Sequence, residues 1–275
     1  FSIGAVPYLT MVNDPETFQP LFGQDKAACG FEIADALAIR SNLSDKVLAV
    51  GNSEYETTYT IVPTIMTVYR GYTWADIQIG NTPVRFVTTH LESLWDENEI
   101  PNAAKQAQQL IADLKNTKNP IVIMGDFNSD PRDPRSETQS NPGEQPVASQ
   151  VCPEQVEAPS GSTALSQCNA YWSMIQAGYA DAGPSSQEPM NATWGANPLL
   201  SGPDPKRLND ALDFGNQYGF SDRLDFVFLS PELEATGAQL VGNVWPNAKD
   251  LWDCKSPEQI TLSQEALSIL SLTNS

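Results

Sequence analysis

Apolar residues along this chain recur mostly in short runs of strand character, and helical spacing shows clearly in two places. Residues 1–30 carry Pro7, Pro15, Pro20, Gly23 and Gly30 and are predicted to be irregular. Strands are predicted near Phe31–Ile33 and Ala36–Arg40, and over Thr57–Tyr69, which is rich in Thr, Val, Ile and Tyr. Pro63 marks a bulge or an edge position in that run. Trp74–Ile79 alternates, and Asn81-Thr82-Pro83 turns into Val84–Thr89, which makes a hairpin. Over Pro101–Lys115, the residues Ala104, Ala107, Leu110, Ile111 and Leu114 keep helical spacing, and Pro101 suits a first turn. The strand Ile121–Met124 follows, and a second helix is predicted over Ala164–Gln176, stopped by Gly178. Leu224–Leu229 reads as a strand closed by Ser230-Pro231, and Gln239–Val244 as a weaker one. Between the helices, residues 129–163 are rich in Pro, Ser, Gln and Glu and read as a long surface loop. A second Pro/Gly-rich loop follows Thr193-Trp194-Gly195, and no internal repeat is present. Hairpins with interspersed helices predict an α/β fold of two mixed sheets packed face to face with helices outside. One domain over 1–275, with the insertion at about 129–163, accommodates all of it.

Charge narrows the partners. The 275-residue, 30.0 kDa chain carries a net charge of −19 with a pI of about 4.2. Such acidity argues against tight, nonspecific DNA binding. It leaves a phosphodiester substrate open, because divalent ions reverse the field at a site. No apolar run is long enough to span a bilayer. The chain starts at Phe1 without a signal-peptide pattern and reads as a mature form or a fragment. Cys29, Cys152, Cys168 and Cys254 form no Cys-x-x-Cys pair, and a single histidine cannot complete an ordinary Cys/His zinc site. Disulfides of a secreted protein, with Cys152 and Cys168 closing a loop, and free thiols are the two readings. Asn42-Leu43-Ser44 and Asn191-Ala192-Thr193 fit the glycosylation pattern.

Two apolar strands each deliver polar groups at the C-terminal end, where α/β proteins collect catalytic residues. The first is Val84-Arg85-Phe86-Val87-Thr88-Thr89-His90-Leu91-Glu92. The second is Ile121-Val122-Ile123-Met124, breaking into Gly125-Asp126-Phe127-Asn128-Ser129. A carboxylate at Asp126 suits water activation or metal contact. The amide of Asn128 can donate to a phosphate oxygen or orient Asp126, and Gly125 gives the backbone room to leave the strand. Glu92 is either a partner of this set or simply exposed. In Ser221-Asp222-Arg223-Leu224-Asp225-Phe226-Val227-Phe228, a carboxylate inside an apolar strand is costly unless paired, which favours a role for Asp225. Asp222 is the rival: on a strand the two would face opposite ways, and the alternative for Asp222 is a solvated strand start.

Thr-His-Leu, Gly-Asp-Phe-Asn-Ser and Asp-Arg-Leu-Asp-Phe together resemble the endonuclease/exonuclease/phosphatase family of metal-dependent phosphoesterases, including its secreted bacterial members. The resemblance covers roughly residues 31–245. Asp35-Ala36-Leu37-Ala38, Tyr69-Arg70-Gly71-Tyr72-Thr73-Trp74, Ala177–Ala182 and Thr193-Trp194 are less specific matches within it. It implies a four-layer α/β sandwich and a divalent cofactor, Mg2+ or else Ca2+ or Mn2+, at Asp126 and Asn128. It also implies His90 and Asn128 on phosphate oxygens, Asp126 handling a proton, and Asp225, or Asp222 in its place, near the catalytic centre. The expected partner is a phosphate ester, whether nucleic acid, nucleotide or phospholipid headgroup, with no protein partner, and the expected location is secreted or periplasmic. Arg132, Arg135, Lys206, Arg207 and Arg223 are candidates to line a cleft. The family's N-terminal metal-binding Glu and C-terminal Ser-Asp-His have no match here; Glu32 is the nearest N-terminal acid, but its surroundings match the strand after that Glu. The chain is therefore expected to be a fragment, weak or inactive by itself. The alternative is a noncatalytic binding module on the same scaffold.

Overall fold

The computed structural model describes residues 2–4, 8–11, 26–29, 32–62, 66–96, 98–134, 148–153, 166–185, 191–194 and 222–240. Short strands come first: β1 (Ser2–Gly4), β2 (Tyr8–Met11), β3 (Lys26–Cys29) and β4 (Glu32–Ala34). They form two antiparallel pairs, β1 with β4 and β2 with β3; β4 lies at the strand expected near Phe31–Ile33, whereas β1, β2 and β3 fall where irregular chain is expected. The strand expected over Ala36–Arg40 is absent; the segment has no ladder partner and runs into a 3-10 helix, Ser41–Lys46. An unanticipated strand follows, β5 (Val47–Glu54). Thr57–Tyr69 is not one strand but two, β6 (Tyr59–Val62) and β7 (Met66–Val68), folded back antiparallel. Pro63 lies outside the described residues.

The main sheet is built from β5 and five later strands: β8 (Gly71–Ile79), β9 (Thr82–His90), β10 (Ile121–Asp126), β11 (Ala180–Asp181) and β12 (Asp225–Leu229). Their order is β11-β12-β10-β9-β8-β5. The β8–β9 hairpin turns at Gly80-Asn81, with Gly80 in the left-handed region at φ 57°, and Pro83 is already in β9 opposite Gln78. β9 and β10 are parallel, and every other pair in this sheet is antiparallel. A parallel pair needs a crossover, and helix α1 (Asn102–Leu114) supplies it.

Helix α1 buries Ala103, Ala104, Ala107, Leu110 and Leu114, the stripe that the sequence spacing predicts. Its glutamines reach sideways: Gln109 Nε2 donates to Glu54 O, and Gln109 Oε1 accepts from the Glu56 N–H. Of the helix expected over Ala164–Gln176, residues 164–165 lie outside the described residues, Ser166 is helical, and α2 (Ala170–Gln176) starts after Asn169, which caps it by accepting from the Trp172 N–H. Gly178, at φ 93°, ends it as expected. One core joins both helices to the sheet through Val87, Leu91, Ile123, Met174 and an aromatic cluster of Phe127, Tyr171, Phe226 and Phe228. Phe127 and Phe228 meet edge to face at 4.9 Å.

The stretch expected as a surface loop from 129 starts buried. Ser129, Asp130 and Asp133 are all at most 3% exposed, since Asn169 Nδ2 donates to the carbonyls of Asp130 and Asp133 and the Trp172 indole donates to Pro131 O. Cys152 and Cys168 form a disulfide. Cys254 and the side chain of Cys29 lie outside the described residues. Gln239 and Leu240 are not in a strand, and 241–244 are not described.

Candidate active site

Strand register alone brings the polar ends together. Asp126 pairs with His90 on the parallel side of β10 and with Asp225 on the antiparallel side. Directly opposed residues share a face of a sheet, so an imidazole and two carboxylates form one row across β9, β10 and β12. His90 Nε2 lies 3.6 Å from Asp126 Oδ2. That is contact, but longer than a hydrogen bond.

The exit from β10 is tightly fixed. Gly125 has φ 152°, and a Cβ there would sit 1.8 Å from the Thr89 carbonyl oxygen. Glycine is thus required by the close approach of β9, rather than simply by the turn that follows. Asn128 adopts a left-handed conformation at φ 44°, and its N–H donates to Asp126 Oδ1 at 2.8 Å. The Asn128 side chain donates from Nδ2 to Leu91 O at 2.7 Å, while the Leu91 N–H donates to Asp126 O. Asn128 therefore orients Asp126 through its backbone and ties the ends of β9 and β10 together through its amide.

Burial sets the electrostatics. The Asp126 carboxyl is pushed well above the usual carboxylate range, first by burial and then by the neighbouring Asp225. The Asn128 N–H and the Arg70 charge oppose that shift. Asp225 is raised by burial, against the hydroxyl of Thr193 and the charge of Arg223. His90 is held down to about 3 by burial and then by Arg70, so its imidazole is neutral near pH 7.

Around this row stand groups that sequence patterns marked weakly or not at all. Thr193 Oγ1 accepts from the N–H groups of Leu224 and Asp225, and the hydroxyl supports the Asp225 carboxylate. Arg70 and Glu92 form a buried ion pair at 3.1 Å, so Glu92 is a partner and not a solvated charge. Asp130, wholly buried, accepts from Arg132 and from the Arg223 N–H, which locks the loop after β10 to the start of β12. A short Asp-Pro-Arg run after the Asn was the available signal for that lock.

Two sequence expectations are corrected. Asp222 is not a solvated strand start: it is 1% exposed, precedes β12, and bridges Trp194 through backbone hydrogen bonds. Residues 222–224 are therefore outside the strand whose alternation was to separate Asp222 from Asp225. Arg223 does not line a cleft. It is buried, and its guanidinium donates to the carbonyls of Asp225, Pro184 and Asn191, with Phe226 beneath it. Arg132 is turned to Asp130, and Arg135, Lys206 and Arg207 lie outside the described residues.

Asp126 and Asp225 stand in adjacent register with Asn128 two residues on, and carboxylates and an amide oxygen are donor types that a hard divalent cation takes. Two carboxylates in adjacent register raise each other's affinity for positive charge, which a proton or a cation satisfies equally. Among the described residues no group of three or more His, Cys, Asp or Glu side chains could hold a metal ion. The donors fit a hard cation in kind, and a full coordination sphere would need further ligands.

The sequence profile of the Endonuclease/Exonuclease/phosphatase family matches residues 53–247. Among solved structures, the chain is similar to the mannosyl-6-phosphatase Bt3783 of Bacteroides thetaiotaomicron, with 13% identity over 84% of this chain and 62% of that one, at a TM-score of 0.34. It is similar to a β-hairpin deletion mutant of beta toxin from Staphylococcus aureus, with 15% identity over 68% and 53% of the two chains and a TM-score of 0.35. It is also similar to truncated TDP2 of Caenorhabditis elegans, with 13% identity over 88% and 69% and a TM-score of 0.37. The chain thus spans less than two thirds of the phosphatase and of the toxin mutant. No curated protein sequence matches it.

Proposed function

This chain belongs to the endonuclease/exonuclease/phosphatase family, and on that premise we propose that it hydrolyses phosphoric esters at the row formed by His90, Asp126 and Asp225. The observation that carries the reading is the register, which sets these three residues and the Asn128 turn at one end of adjacent strands. A divalent cation, Mg2+ or else Ca2+ or Mn2+, would be held by Asp126 and the Asn128 amide and would neutralise charge on the phosphoryl group. His90, neutral at working pH, donates one N–H to a nonbridging oxygen. In the absence of a cation the Asp126 carboxyl is raised by burial and by Asp225, which makes it the candidate for general acid–base work. Thr193 and Asn128 keep the two carboxyls in place.

Phosphomonoesters and phosphodiesters both suit this arrangement, and the net charge of −19 weighs against long DNA. Nucleotides and phospholipid headgroups are the remaining substrate classes. The test is phosphate or nucleotide release by the complete protein with each cation in turn, on monoester and diester substrates. Release that falls at least ~100-fold in Asp126→Ala is expected. No release from any ester would end the hydrolase reading in favour of a binding module on the same scaffold.

A further inference from the structure

Arg70 lies one step beyond the row. Continuing the β8–β9 register from Tyr72 opposite Thr89 sets Arg70 beside Leu91, the residue whose backbone bonds to the Asp126 carbonyl and to the Asn128 side-chain amide. The Arg70 side chain is only 9% exposed, and its Nε donates to Glu92 Oε2 at 3.1 Å. Glu92 is itself fixed. Its Oε1 accepts from the Leu94 N–H at 2.9 Å, and its own N–H donates to Gln106 Oε1 at 2.8 Å. Gln106, fully buried on α1, donates onward to Thr57 O. Glu92 thus grips one edge of the guanidinium and leaves the other.

That other edge is the informative one. Among the described residues, Arg70 Nη1 is buried without a hydrogen-bond partner. A buried donor left unsatisfied is costly, more so when charged. Arg223, the other buried arginine flanking the row, shows the contrast, since its donors already meet protein carbonyls. The charge of Arg70 is felt at His90, Asp126 and Asp35, which places it against the candidate active site. A fixed guanidinium with an unpaired donor matches a phosphoryl oxygen in charge and hydrogen-bonding capacity.

We propose that Arg70 is a substrate-contacting residue, its Nη1–H donating to a nonbridging phosphoryl oxygen beside His90 and Asn128, with Glu92 as its positioning residue. This rests on the phosphoric-ester reading above. No covalent step passes through the guanidinium. It binds the oxyanion in the ground state and holds it as charge builds.

Inorganic phosphate is the probe, titrated calorimetrically into the complete protein with Mg2+, with unfolding temperature recorded for each variant. Arg70→Gln is expected to weaken phosphate binding at least ~10-fold and to raise KM for the ester, since a hydrogen bond to a charged group contributes about 1.5–3 kcal/mol. Arg70→Lys, which keeps charge without the fork, is expected between wild type and Gln. Glu92→Gln is expected to weaken phosphate binding less than Arg70→Gln. A folded Arg70→Gln with wild-type phosphate affinity and KM overturns the inference. If that variant does not fold, unchanged affinity in Arg70→Lys overturns it instead. A wild-type protein that binds phosphate through Arg70 yet cleaves no ester defeats the hydrolase reading alone, whereas active protein indifferent to Arg70 defeats only this inference.

Discussion

His90 shows how a single residue reports on its surroundings. Burial holds its pKa down to about 3, against 6.5 for the free side chain. Between those values the unfolded chain binds the extra proton and the folded chain does not, so stability falls as pH drops through that window. Asp35, raised by burial to about 7, has the opposite sign: its folded form keeps the proton longer, so stability falls as pH rises from 3.8 towards that value. Because the sequence holds one histidine, its ring resonance in a proton NMR titration needs no assignment. The resonance should stay that of a neutral imidazole from about pH 8 to about pH 5. A midpoint near 6.5 would mean an exposed ring. Gly125 permits an equally local test. The Thr89 carbonyl occupies the space of any Cβ, so Gly125→Ala should lower the free energy of urea unfolding by more than ~2 kcal/mol. At this scale the motifs were readable: His90, Asp126, Asn128 and Asp225 stand in short patterns at strand ends. Arg70 and Thr193 stand only in the less specific matches, since an arginine before a glycine and a threonine in a loop announce no partner until the strands are laid side by side.

Elements with strong periodicity were readable too. Helix α1 and the strands β9, β10 and β12 lie where their patterns put them, because their own residues decide the face that is buried. The failures share a cause. β5 carries no strand pattern of its own, and Thr57–Tyr69 reads as one strand, because partner strands and a reversal decide those segments rather than composition. The break before α2 follows from the Asn169 cap and its grip on the 130–133 turn. Loss of Leu110, wholly buried under α1, should cost about 2–5 kcal/mol in Leu110→Ala, measured by denaturant unfolding. The Cys152–Cys168 bridge, with a sequence separation of 16, should contribute about 3 kcal/mol by restricting the unfolded chain. Replacing both cysteines with serine should lower the unfolding midpoint accordingly, and an unchanged midpoint would show that the loop is held by the Asn169 contacts instead.

For the molecule as a whole, the sheet explains why the site sits where it does. One face, through Val87 and Ile123, packs on α1 and α2. The other carries Phe86, Val122, Met124 and Val227, all half-buried, and the His90–Asp126–Asp225 row lies at its end. Apolar residues on both faces are the mark of a sheet covered on both sides, as in the sandwich that the sequence pattern predicts. The claim that binds these scales is that side chains from three strands work as one catalytic unit. A double-mutant cycle on kcat/KM with His90→Ala, Asp126→Ala and the combined variant, in the complete protein with Mg2+, tests it most directly. Residues that act together should lose about as much activity in the double variant as in the worse single one. Losses that simply multiply, or an Asp126→Ala protein with wild-type kcat/KM, would contradict it.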